Sequence, residues 1–526
     1  MPLWTWQDAG VIHVVLHPDR VLCGLAANPA LSADLVDRLI TLAATAPDRT
    51  LADDLAAELT DRDDLTPSQV RALFADVDDA SRPESALTLL ERGEGRPDLA
   101  RRLAADPDPW LRGRLAACPD LPDDVVRRLA EDRDPEVVAE LALAAPPDLA
   151  AALAHHPHTT VRRAVAANDR TPPDVVHALL TGDALLTGGT LPTGEALPPA
   201  GACPVCERHT VPYEHGQDCE FPDCPALPGT VCSGEHETGR HHITANALAH
   251  PATPPATAAR FAGHPAAAPR AELAARTDLP PEVYRRLATD PVRWVRSALA
   301  ENPAIDEDVI RILAEDESSD VARSLADHPR LPLDVLTRLA ARGHAHATLL
   351  PRIAAASPTE VAQLAASPEP AVRMLVAERR DLPPAIRDAL AADPDAKVLK
   401  AIAPHPGLPE PLLRAMLTRH GVRVAARMAT NPDASPALLT DLAHHRPPVR
   451  TALRAIASHP AAPLPALTAC LEDRQARPIA AANPSLPPTL LTELIADPVP
   501  HIAEVAAANP ALPTPLARAL LTQLTP

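Results

Sequence analysis

From residue 276 onward the apolar residues return in blocks that are themselves repeated. Leu279, Ile305 and Leu331 stand 26 positions apart, as do Leu382, Leu408 and Ala434. Each opens the same pattern, seen most fully in Arg276 to Ala300, RTDLPPEVYRRLATDPVRWVRSALA. Leu279-Pro280-Pro281 starts a helix, because proline is preorganised for the first turn and its missing N–H is not needed there. Val283, Leu287 and Ala288 then form one apolar stripe. Asp290-Pro291 ends that helix and caps a second element, in which Val295, Ala298 and Leu299 form another stripe. Asn302-Pro303 breaks the chain again, so each unit is expected to hold one helix and one shorter helical segment.

A period of this size predicts a solenoid, in which each unit contacts its neighbours only. The first unit is visible at His17-Pro18 with Leu25, Ala26 and Asn28, and further anchors are Leu31, Leu65, Leu99, Leu121, Leu149 and Thr171. The register between 40 and 95 is irregular. Thr171 to Thr253 spans 82 positions, so about two units' worth of chain is replaced or inserted there. Copies then run through a degenerate unit near Pro358 to Ala462, Leu486 and Leu512. The expected organisation is a repeat solenoid over 1–182, a Cys/His-rich insert with a Gly/Pro-rich lead-in over 183–245, and a second solenoid over 246–526.

The recurring Asn302-Pro303-Ala304-Ile305 with Val309, Leu313 and Ala314, matched by Asn483-Pro484-Ser485-Leu486-Pro487 and Asn509-Pro510-Ala511-Leu512-Pro513, resembles the leucine-rich repeat variant family. That resemblance implies an all-α, right-handed α-solenoid whose units alternate an α-helix with a 3₁₀-helix. A HEAT- or armadillo-like feature accompanies it. Asp106 precedes Arg112 by six, as Asp290 precedes Arg296, and in HEAT repeats such pairs bond between units.

Composition narrows the functions available. Aromatics are 2% of the chain, so packing must come from Leu, Val, Ile and Ala. Alanine, proline and arginine are abundant while lysine is confined to Lys397 and Lys400, the bias of a high-GC bacterial genome. The 64 prolines recur in phase with the apolar residues, unlike those of a linker. A formal net charge of −20 argues against nucleic acid or an anionic membrane as the main partner. The first residues do not resemble a secretory signal, and no apolar run reaches membrane-spanning length, so a cytoplasmic protein is expected. Among enzyme signatures, no G-x-S-x-G, phosphate-cradling loop, dinucleotide fingerprint or H-E-x-x-H is found.

Several residue types repeat without implying chemistry. Arg112, Arg162, Arg296, Arg373 and Arg450 are expected to form a structural ladder, each bonding an aspartate or carbonyl of its neighbour, rather than a basic track. Trp110 and Trp294, just before two of them, are expected to fill gaps between units. His250, His328, His405 and His459 precede prolines where other units place Asn28, Asn302, Asn431, Asn483 or Asn509, a slot for a small polar side chain bonding nearby backbone. Cys118 shares that slot, and Cys23 and Cys470 read as small buried hydrophobes.

Gly188 to His242 is different in kind, because the repeat is lost and five cysteines crowd together. Cys203-x2-Cys206 can grip a metal ion from one tight turn. Two tetrahedral sites can be written in chain order: Cys203, Cys206, His215 and Cys219, then Cys224, Cys232, His236 and either His241 or His242. One Cys₄ site built on Cys203 and Cys206 is simpler. So short a segment has little core, and metal binding would supply most of its folding energy. Structural zinc suits a closed thiolate and imidazole shell. The alternative is a 4Fe-4S cluster, which four thiolates can hold and which a member of the resembled family carries in a cysteine-rich region ahead of its repeats. The expected function is a non-enzymatic scaffold binding another macromolecule, a protein, with a zinc module; an iron–sulfur redox or sensing protein is the alternative.

Overall fold

The computed structural model describes residues 15–75, 83–93, 96–156, 158–181, 237–264 and 266–525. Among them every regular element is an α-helix, 34 in number, and no strand occurs. The unit at 276–302 shows why. Pro281–Leu287 begins with proline at its first turn and buries Val283, Tyr284 and Leu287. Asp290 turns the chain by accepting from the Val292 N–H at 2.9 Å, and Arg293–Glu301 then buries Val295, Leu299 and Ala300. We call these the A and B helices of a unit. Each buried Leu or Val contributes roughly 2 kcal/mol of transfer free energy, which a helix of two turns could not obtain alone.

The B element corrects the expectation of a 3₁₀ segment. Pro109–Ala116, Arg293–Glu301 and Pro500–Ala507 are α-helices, as long as or longer than the A helices before them where those are Pro97–Leu103 and Pro281–Leu287. Eight or nine residues between the aspartate turn and the next Asn-Pro or Cys-Pro suffice for i→i−4 bonding over two turns.

The chain divides into two compact units of packing. In the one formed by Val77–Ala345 and Leu350–Arg352, the helix Pro173–Thr181 is an A helix and Glu237–Ala249 is the next described helix. Glu237–Ala249 stacks as a B helix on Thr159–Ala167, with the Asn246 side chain donating to the Arg163 carbonyl at 3.1 Å and the His250 ring 3.1 Å from the Asn168 carbonyl. Residues 182–236 therefore interrupt one unit between its A and B helices. The extra chain is an insertion, and the stack is continuous on both sides of it.

The other compact unit holds Met1–Asp76, His346–Leu349 and Ile353–Pro526. Within it, Pro18–Ala27 is the first described helix, a B helix, and Thr514–Leu524 is the last, an A helix. These two pack together and complete a unit. Asn28 donates to the carbonyls of Ala507 and Asn509 at 3.0 and 2.9 Å, and Arg518 reaches Asp34 at 2.8 Å. Gly24 makes the approach possible, since a Cβ there would collide with the Glu504 carbonyl oxygen and crowd Ala507.

Gly24→Val is therefore expected to separate Pro18–Ala27 from Pro500–Ala507. Limited proteolysis should release the N-terminal helices in the variant and leave the parent chain intact. Equal protection of both chains would contradict this account of the packing.

Candidate functional site

The side chains singled out by the sequence fall into three groups, and two of them are occupied in building the stack. The first is the slot after each B helix. The last carbonyls of a helix lack intrahelical partners, and here the following unit buries them. Asn302 donates to the carbonyls of Ala274 and Arg276, both at 2.6 Å, and accepts from the Ala304 N–H at 2.8 Å. Asn431 treats Ala403, His405 and Asp433 alike, and Asn509 does so with Ala481, Asn483 and Ala511.

Histidine fills the slot with one bond fewer. The rings of His328 and His459 lie 3.0 and 2.9 Å from the carbonyls of Asn302 and Asn431, while each Nδ1 accepts the N–H two residues on. An accepting Nδ1 places the proton on Nε2, so these rings are neutral. Burial holds the His328 pKa below the ordinary range. His405 departs from the pattern. Its Nδ1 lies on the Pro406 carbonyl and its Nε2 has no bond among the described residues.

A third occupant of the slot was not foreseen. Arg62, Arg276 and Arg379 reach back to carbonyls of the preceding unit, Arg62 to Ala26 and Asn28 at 2.8 and 2.7 Å. Each is paired with the aspartate two positions on, Asp64, Asp278 or Asp381. The arginine bonds hold all three carboxyls below the usual range. Arg-x-Asp at the asparagine position was the available signal.

The second group is the arginine ladder, which takes the structural form. Arg296 grips Asp316 of the next unit with two parallel bonds of 2.6 and 3.1 Å, and its third nitrogen donates to the Asp290 carbonyl at 2.6 Å. Arg112 holds Asp132, Arg270 holds Asp290 and Arg373 holds Asp393 in the same way. Arg477 pairs with Asp497. The residue six before the arginine thus offers its carbonyl, and the carboxylate comes from the unit after. Arg162 keeps the carbonyl bond, to His156 at 2.6 Å. Arg450 does not belong to the ladder: it is 77% exposed and 3.8 Å from Asp473. In that unit the ladder position, six before His459, is held by the buried Leu453.

Burial pushes the carboxyls of Asp132 and Asp316 upward, but the arginine and backbone bonds outweigh it and hold both below the usual range. Trp110 and Trp294 correct the packing expectation. They are 55% and 40% exposed, and Arg114 lies over the Trp110 ring at 5.3 Å. The position before the buried B-helix residue points outward. Cys23, Cys118 and Cys470 are buried free thiols. Burial, with nearby carboxylates, pushes them up to about 12, 11 and 12, which suits packing and not nucleophilic work.

The third group is the metal-ligand set. Cys203, Cys206, His215, Cys219, Cys224, Cys232 and His236 all lie outside the described residues. The two further candidates are on Glu237–Ala249. His241 is buried and meets the His264 ring edge-on at 5.3 Å, whereas His242 is half-buried. Among the described residues no group of three or more His, Cys, Asp or Glu is arranged to hold a metal ion, and no helix is long and apolar enough to cross a membrane.

No family model matches the chain, and no curated protein matches it. Among solved structures it is similar to a leucine-rich repeat variant with a novel repetitive structural motif, at 24% identity over 49% of this chain and 90% of that one, with a TM-score of 0.27. It is also similar to a Kap121p mutant, at 11% identity over 93% of this chain and 51% of that one, TM-score 0.20. An engineered protein matches at 15% identity over 93% of both chains, TM-score 0.12. These scores are too low to assign a family, and the solenoid-like architecture rests on the helices and bonds above.

Arg296→Met is expected to strand the buried Asp316 carboxylate and cost about 3 kcal/mol, while adding Asp316→Leu should recover most of that loss. Urea denaturation measures both. The lowered aspartate pKa values also set a pH window. The stabilisation they supply is complete above the unfolded value of about 4 and is lost as pH falls through the lower folded values. The urea midpoint of the parent should therefore fall below about pH 4 more steeply than that of the Arg296→Met/Asp316→Leu chain.

Proposed function

We propose that this protein is a non-enzymatic α-solenoid scaffold that binds another protein, built from leucine-rich-repeat-variant-type units, with a structural zinc module inserted into one unit. The observation that carries the reading is the fate of the recurring polar side chains. Asparagines, histidines, arginines and aspartates that could have lined a reaction site are instead committed to joining one unit to the next. What remains is a surface built from many helices, which suits recognition of a macromolecule. Affinity capture from a lysate of the source cells, followed by reconstitution with the purified partner, tests it. Metal-dependent turnover of a small molecule with no protein partner retained would overturn it. The reading places the protein in the cytoplasm, where thiolate ligands stay reduced.

The zinc module rests on Cys203-x2-Cys206 and the cysteines and histidines that follow it within 182–236. Cys203, Cys206, His215 and Cys219 would hold one ion and Cys224, Cys232, His236 and either His241 or His242 a second, or Cys203, Cys206 and two of the other three cysteines would hold a single ion. Its contribution would be structural, tying together a segment too short to fold on apolar burial. The expected result of metal analysis on anaerobically purified protein is one or two zinc ions per chain with no visible absorbance. Iron and sulfide with a visible band would instead favour a cluster. Cys203→Ser/Cys206→Ser should remove at least one ion and open 182–236 to protease. Far-UV helicity should be retained, because Asn246 and His250 join the stack across the insertion.

A further inference from the structure

Within the compact unit that holds the chain ends, the B helices form a row whose charge changes along its length. Four consecutive members, Ala396–Ile402, Val422–Met428, Arg450–Ala457 and Arg477–Ala481, contain no aspartate or glutamate. They carry Lys397, Lys400, Arg423, Arg427, Arg450, Arg454 and Arg477, including both lysines of the whole chain. The next members in the row no longer carry a cationic excess. Pro500–Ala507 carries Glu504, Pro18–Ala27 balances Asp19 with Arg20, which lies 3.7 Å from Glu504, and Arg49–Thr60 carries Asp53, Asp54 and Glu58 against Arg49. The carboxyl of Glu58 is pushed up by burial and by the charges of Glu504, Asp61 and Asp54 around it.

What separates these cations from the ladder is their partners. Arg477 is committed to Asp497, and Arg427 sits 3.6 Å from Glu378 with its Nε on the Lys400 carbonyl. Lys397, Lys400, Arg423 and Arg454 are exposed and make no ion pair among the described residues. Arg450 is 77% exposed. On the A helices of the same unit, Arg414 is spent on Glu410 and Asp441, Arg387 on Asp388 and Arg518 on Asp34, while Arg38 and Arg419 bond the Thr522 hydroxyl and the Ala392 carbonyl. A protein of net charge −20 that concentrates unpaired cations on one face has a local potential opposite to its overall one.

We propose that the B-helix face of Ala396 to Ala481 binds an extended acidic polypeptide segment of a partner protein, with Lys397, Lys400, Arg423 and Arg454 as its principal contacts. The inference rests on the scaffold reading and names the chemistry of its partner. Spacing supports a peptide. Packed helices lie about 8–10 Å apart and an extended chain advances about 3.3 Å per residue, so a carboxylate at every third residue meets successive helices. Nucleic acid fits less well. These four helices carry no aromatic side chain on which a base could stack. A duplex, with one charge per ~1.7 Å, would also meet the repulsion of the rest of the chain. The Glu504 carboxylate on Pro500–Ala507 and the acidic residues of Arg49–Thr60 limit the site at that end, since they repel an acidic segment beyond Arg477–Ala481.

The test uses the full chain and a fluorescein-labelled peptide of about 12 residues with glutamate at every third position in a Ser/Gly background. Fluorescence anisotropy should show binding that weakens as salt rises. Lys397→Glu/Lys400→Glu/Arg423→Glu/Arg454→Glu should weaken it at least about tenfold. Arg71→Glu/Arg133→Glu, on exposed positions outside the row, should change it by less than about twofold. All four reversed residues are exposed, and an unchanged melting curve confirms that the variant is folded. The proposal is overturned if the peptide does not bind, if both variants weaken it equally, or if a duplex DNA of similar length binds more tightly. It is also overturned if sedimentation shows a self-dimer that only the fourfold variant loses, because the face would then belong to a second copy. A protein partner from the capture experiment that still binds the fourfold variant overturns this face while leaving the scaffold reading intact.

Discussion

Most units of this protein depend on how the carbonyls at the end of the preceding B helix are satisfied. Stacking the next unit removes them from water, and a buried carbonyl without a donor costs about 1–3 kcal/mol. The slot residue is the remedy. Asparagine is best suited, because its two N–H groups reach two carbonyls while its oxygen fixes the turn that carries it, as at Asn302 and Asn509. Histidine supplies one donor and one acceptor. Arginine supplies donors in excess but brings a charge, which explains why Arg62, Arg276 and Arg379 are each accompanied by an aspartate two residues on. The apolar stripes drive the helices together, and this slot sets the register in which they meet.

The arginine ladder works on the same interface from its other side. Each aspartate turns its own chain, as Asp290 does for Val292, and accepts the guanidinium of the unit before it. One carboxylate therefore couples the geometry of a turn to the position of a neighbour. At Leu453 the guanidinium is absent and the position is filled by an apolar side chain, consistent with the near-equivalence of a buried ion pair and a well-packed hydrophobe. The charge of the ladder is thus internally cancelled, and cations outside it are the ones that change the surface potential.

The period, the paired apolar stripes and the structural role of the arginines were legible in the sequence, because each is carried by residues that recur in register. Less was legible where one residue does two jobs. The asparagine slot reads locally as a cap, and its Oδ1 does serve the N–H two residues on, but its Nδ2 bonds cross to a unit about 26 positions away and have no local signature. Arg450 was placed in the ladder by its neighbouring valine, although counting back six from His459 reaches Leu453 instead. Trp110 and Trp294 were expected inside because tryptophan is largely apolar, whereas their helix position faces outward. The pairing of the first B helix with the last A helix was also hidden. It joins residues nearly 500 positions apart, Arg518 with Asp34, and nothing in a one-dimensional period specifies it.

The same bonding explains how the stack tolerates 182–236 inside a single unit. Replacing an A–B connection of about five residues by one of about 55 costs roughly 2 kcal/mol more in loop closure. Against this stand the bonds of Asn246 and His250 to Arg163 and Asn168, the Thr253 hydroxyl on the Ala247 carbonyl, and the buried faces of Pro173–Thr181 and Glu237–Ala249. The stack on either side of 182–236 is therefore held by bonds and burial among the repeats themselves.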